Sequence, residues 1–69
     1  MKFVIDENGS REKSENLFKY LMDYQYGLSD KLRNQNCYIM AEVIENQTSD
    51  LRSQYFKLLQ EGKFISGWK

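Results

Sequence analysis

One cysteine and no histidine leave this chain without a staple. No internal disulfide can form, and one copy cannot assemble a His/Cys zinc site. At 69 residues that absence decides much of the rest. A core of this size rarely contributes more than roughly 3–5 kcal/mol net, so the chain must hold itself together by packing amphipathic elements against one another. The expectation is one small domain over residues 1–69, with no room for a deep, water-excluding active site.

Glycines and capping residues divide the chain. Asp6-Glu7-Asn8-Gly9 is a turn-forming cluster. Between Gly9 and Gly27, Ser10 or Ser14 can cap a helix, and Leu17, Phe18, Leu21, Met22 and Gln25 form its apolar face. After Gly27, Leu28-Ser29-Asp30 resembles a stapled helix start. Leu32, Asn36, Ile39, Met40, Val43 and Ile44 continue at helical spacing toward Gln47. Thr48-Ser49-Asp50 offers another cap, ahead of a third stripe of Leu51, Tyr55, Leu58 and Leu59 that Gly62 closes. A single helix through positions 47–49 is also compatible with the spacing of Met40, Ile44, Gln47, Leu51, Tyr55 and Leu58. Three consecutive capping-type residues favour a break there instead.

The reading is therefore a mainly α, three-helix domain with short extended N- and C-terminal segments. Lys2 to Asp6 and Lys63 to Trp68 are both aromatic or β-branched and can pair as a two-stranded ribbon over the helices. Cys37 to Glu45 carries the alternative. Tyr38, Ile39, Val43 and Ile44 are good strand formers, and a strand over 37–45 would make the fold α+β with order βαβαβ.

The residue types argue against catalysis. Cys37 is the only thiol, no imidazole exists to serve it as a base, and it sits in the most apolar run, where a thiol behaves as a small hydrophobe. The carboxylates of Asp6, Glu7, Glu12 and Glu15 cluster near a glycine. A calcium loop starting at Asp6 needs glycine and glutamate where this chain has Arg11 and Leu17. Acidic groups at a helix start complement its dipole instead. No phosphate-binding glycine loop occurs. No catalytic residue, metal ligand or cofactor is expected.

Charge narrows the partners. Ten basic and ten acidic side chains balance, and a sequence pI near 6.2 gives no electrostatic footprint for nucleic acid. Arg52, Lys57 and Lys63 fall at spacings that do not align on one helical face, with Asp50 and Glu61 nearby. The longest apolar run, Cys37 to Ala41, is far short of the roughly 20 residues that cross a bilayer. The opening Met-Lys-Phe-Val-Ile-Asp turns acidic too early for a signal peptide. These features lead to an expected cytoplasmic location with no membrane partner, and the Asn, Gln, Lys, Ile and Tyr content resembles that of AT-rich bacterial or phage genes.

Aromatic content is the remaining signal. Five Tyr, four Phe and one Trp make 14% of the chain, more than so few core positions absorb. Tyr20 and Tyr24 lie one turn apart on the flank of the first helix, Tyr26 follows, and Trp68 needs a surface to dock on. Tyrosine and tryptophan tolerate water when free and contribute well when a partner buries them. The expected partner-binding residues are Tyr20, Tyr24, Tyr26 and Trp68. The expected function is non-enzymatic: binding a larger protein and regulating or inhibiting it. The alternative is a nucleic-acid-binding helical regulator whose third helix enters the major groove.

Overall fold

Ser10 begins the first helix. Its extended backbone and its Oγ, which accepts from the Lys13 N–H at 3.1 Å, satisfy one of the free donors of the opening turn. Just ahead of it, the Asp6 carboxylate and carbonyl accept from Asn8 N–H and Gly9 N–H, which closes the expected turn. The computed structural model describes residues 1–69 as β1 (Phe3–Asp6), α1 (Arg11–Asn34), α2 (Tyr38–Gln60) and β2 (Phe64–Trp68). The fold is mainly helical, with two helices and a two-stranded antiparallel sheet made by the chain ends.

Two helices, not three, is the main correction to the sequence reading. Gly27 lies inside α1, exposed, and Ser29-Asp30 caps nothing. Ser29 is buried and its hydroxyl donates to the Tyr26 carbonyl at 3.0 Å. Thr48-Ser49-Asp50 lies inside α2. Thr48 turns its hydroxyl back onto the Ile44 carbonyl at 2.7 Å, which removes the competition that would have broken the helix. Residues 38–45 are helical, so the βαβαβ alternative does not hold.

The reversal falls at Gln35 and Asn36. Asn36 adopts φ 61°, its N–H bonds the Arg33 carbonyl at 3.0 Å, and Cys37 N–H bonds the Leu32 carbonyl at 2.8 Å. This is the Schellman arrangement, with asparagine in the left-handed position usually held by glycine. The end of α2 repeats it. Gly62 has φ 73°, its N–H bonds the Leu59 carbonyl, and Lys63 N–H bonds the Leu58 carbonyl. Gly62 closes its helix as expected; the role assigned to Gly27 belongs to Asn36.

The helices meet along a seam at steps of three, four and seven residues: Ser14, Leu21, Gln25 and Ser29 on α1, Ala41, Thr48, Leu51 and Tyr55 on α2. Near the open end of the hairpin the seam is apolar. Leu21, Met22 and Leu51 form the core, with Phe3, Phe18 and Trp68 against it and Phe18 stacked on Tyr55 at 3.9 Å. Toward the 35–36 turn the buried residues shrink to Ser29, Ala41 and Thr48. There Arg33 grips Glu45 through two parallel bonds, Nε to Oε2 at 2.7 Å and Nη2 to Oε1.

The ribbon realises the expected pairing of the ends. Phe3 faces Trp68, Val4 faces Gly67, and after a bulge at Ser66 Ile5 faces Ile65 and Asp6 faces Phe64. Lys2 and Lys69 add two reciprocal backbone bonds of 2.8 Å. Ser14 does not cap α1. Fully buried, its hydroxyl accepts from the Ile65 N–H at 3.1 Å and ties β2 to the helix. No helix is long and apolar enough to cross a membrane.

Candidate functional site

Helical geometry sorts the tyrosines of α1. A step of four residues returns to nearly the same side, whereas a step of two turns about 200° away. Tyr20 and Tyr24 accordingly share one flank, and both are exposed, Tyr20 at 65% and Tyr24 at 60%. Tyr26 stands across the helix from them, 42% exposed. The arrangement brings Tyr20, Tyr24 and Trp68 together and separates Tyr26.

Trp68 joins that flank through the ribbon. Half-buried in β2, it rests on the Leu21–Leu51 cluster and stacks with Tyr20, ring centroids 6.4 Å apart and planes 21° apart. Between Met1, Tyr20, Leu21, Tyr24, Gln25 and Trp68 lies a shallow cavity of about 280 Å³. Its walls are mostly apolar, and one polar group breaks them. Gln25 is buried at 5% exposure, and its Oε1 accepts no hydrogen bond. A buried acceptor without a donor costs about 1–3 kcal/mol.

Gln25 is the site residue that the sequence reading missed as such. Its position on the apolar stripe was legible. Its lack of a donor depends on which neighbours α2 and the ribbon bring, and no local pattern carries that.

A second set of apolar side chains departs from expectation. The helical spacing of Ile39, Met40, Val43 and Ile44 suggests one stripe, yet the first three are exposed, Ile39 at 81%, and only Ile44 is half-buried. Four apolar residues spread around α2 cannot all face a single neighbouring helix, and α1 takes up the side of Ala41, Glu45 and Thr48. Cys37 also sits differently from the buried thiol expected. It is half-buried at the N-cap of α2, where its side chain makes no capping bond and its Sγ lies 3.7 Å from the Gln35 carbonyl oxygen.

The groups whose protonation is displaced belong to the distal clamp: the Arg33 hydrogen bonds hold Glu45 below the usual carboxylate range, and Glu45 raises Arg33 in turn. No protein family, curated protein or solved structure matches this chain.

Proposed function

We propose that this protein works by binding a larger protein through the Tyr20–Tyr24–Trp68 flank, and that it regulates or inhibits that partner by occupying its surface, without chemistry of its own. The observation that carries this reading is the stacking of exposed Tyr20 on half-buried Trp68 beside a mostly apolar cavity that Tyr24 and Gln25 also line. Hot spots of protein interfaces favour Tyr and Trp beside well-packed pockets. Tyr26, on the far side of α1, falls outside this patch.

The test begins with affinity capture from the native host using the wild-type chain and the Tyr20→Ala/Tyr24→Ala double variant. A protein retained only by the wild type is then titrated against each single variant. Loss of a central anchor costs about 2 kcal/mol or more, roughly thirtyfold in affinity. The melting temperature should change little, because both rings are mostly in water. Variants that melt far earlier and bind normally once folded would assign the tyrosines to the fold alone. Affinity falling log-linearly and steeply with salt would point instead to phosphate contacts and a nucleic-acid partner.

A further inference from the structure

The two outer edges of the ribbon are treated differently. Along β2 the edge is closed: α1 runs beside it, and the outward N–H of Ile65 is taken by Ser14 Oγ at 3.1 Å. That bond also fixes the phase of the ladder. Because Ile65 points its N–H away from β1, the Ile5–Ile65 pair is one whose backbone groups face outward, and the reciprocal bonds of Lys2 with Lys69 make Phe3–Trp68 another. The N–H and C=O of Phe3 and Ile5 therefore point out of the ribbon on the free side of β1. No side chain bonds them.

Beside this edge runs a groove of about 520 Å³ between β1 and α2, floored by Phe3, Ile5 and Leu58. Phe3 packs on the core, while Ile5, two residues on and so on the same face of the strand, is left 43% exposed. Lys2 and Lys57 also line the groove, and neither has a carboxylate partner; the Glu61 carboxylate beside them is engaged by Lys63 at 3.5 Å. Unpaired strand donors and acceptors, an apolar floor and two free ammonium groups lie within one channel.

We infer that this groove binds an extended peptide segment of another protein as a third strand on β1, with apolar side chains at alternate positions and acidic residues flanking them. Backbone bonds to Phe3 and Ile5 supply the pairing, the apolar side chains cover Ile5 and Leu58, and the flanking carboxylates meet Lys2 and Lys57. The inference concerns the opposite edge of the ribbon from the aromatic flank and stands independently of the reading given for that flank.

Three acetylated, amidated pentapeptides test it by NMR titration of the full chain: Glu-Val-Thr-Val-Glu, its Lys-Val-Thr-Val-Lys counterpart, and the glutamate peptide N-methylated at both valines. The glutamate peptide should move the Phe3 and Ile5 amide signals and saturate below about 1 mM. The lysine and N-methylated peptides should each bind roughly tenfold more weakly or not at all, since one lacks the charge match and the other the backbone donors. Lys57→Glu, on an exposed helix position, should reverse the preference between the glutamate and lysine peptides while leaving the circular dichroism spectrum unchanged. Equal binding of all three peptides, or no shift at Phe3 and Ile5 with any of them, overturns the inference. So does a concentration-dependent dimer in sedimentation that protects those two amides, since it would make a second copy of β1 the occupant.

Discussion

At Gly27 the difference between a glycine that ends a helix and one that merely interrupts its surface is a matter of backbone sign. Only Asn36 and Gly62 occupy the left-handed region, and both lie just beyond a helix end. Gly27 sits within α1 with open space where a Cβ would go. A glycine there costs about 1 kcal/mol relative to alanine, partly through the freedom it gives the unfolded chain. Gly27→Ala should therefore stabilise the protein by about 0.5–1 kcal/mol and raise the melting temperature by a few degrees, read by thermal circular dichroism. An unchanged or lowered midpoint would show that the glycine is needed where it stands. Glycine was legible as a punctuation mark at position 62 and misleading at 27, because identity alone does not report φ. Asparagine in the sequence carries still less warning, and Asn36 read as one more member of a stripe.

Between elements, the local signals that could be read were those that packing did not overrule. Ser10 as a cap, the stripe from Leu17 to Gln25, and the matching aromatic or β-branched ends all agree with the surfaces they meet, and all were legible. The break expected at Thr48-Ser49-Asp50 was not realised, because Thr48 is fully buried against α1 and satisfies its hydroxyl within its own helix. A 23-residue α2 can then run alongside a 24-residue α1 to the far turn, where Arg33 and Glu45 hold the pair together. That clamp makes the helix pair sensitive to acid. Glu45 titrates lower when folded than when unfolded, mainly through its hydrogen bonds from Arg33. Its contribution is thus fully present above the ordinary carboxylate range and is lost as pH falls through the lowered folded value. Arg33 stays charged throughout. Glu45→Gln should lower the melting temperature near neutral pH and flatten part of the decline on acidification. Parallel wild-type and variant curves from neutral pH to strong acid would assign that decline to other carboxylates.

The whole molecule measures 43 × 18 × 16 Å with a radius of gyration of 13.2 Å, against about 11 Å for an ordinary domain of this length. The rod is not uniform along its axis. Apolar burial is concentrated at the ribbon end, around Leu21, Leu51, Tyr55 and Ile65, and the turn end is joined by Ser29, Ala41, Thr48 and a partly exposed ion pair. Since a small side chain removes little apolar area from water, the turn end should open locally well before the molecule unfolds. Amide hydrogen exchange followed by NMR should find the slowest helical amides near Leu21 and Leu51. Those of Leu32 to Arg33 and Ala41 to Glu45 should exchange roughly tenfold faster or more. Uniform protection along both helices would mean that the hairpin opens only as a unit. The exposed tyrosines could be anticipated from the sequence because ten aromatics exceed what such a core holds. The cavity beside Tyr20 and the open edge of β1 could not, since both arise from where the ribbon comes to rest on the helices.

That ribbon also determines how the molecule meets mechanical load. Residues 2 and 69 exchange backbone bonds, so the two ends leave the fold side by side, and the strands behind them run antiparallel. Tension applied through the ends acts across the ladder and breaks its bonds one after another, from the Lys2–Lys69 pair toward Asp6 and Phe64, instead of loading them together in shear. The strands peel away at low force and lift Phe3 and Trp68 off the Leu21–Leu51 cluster, while the helices behind them bear no strain until the zipper has opened.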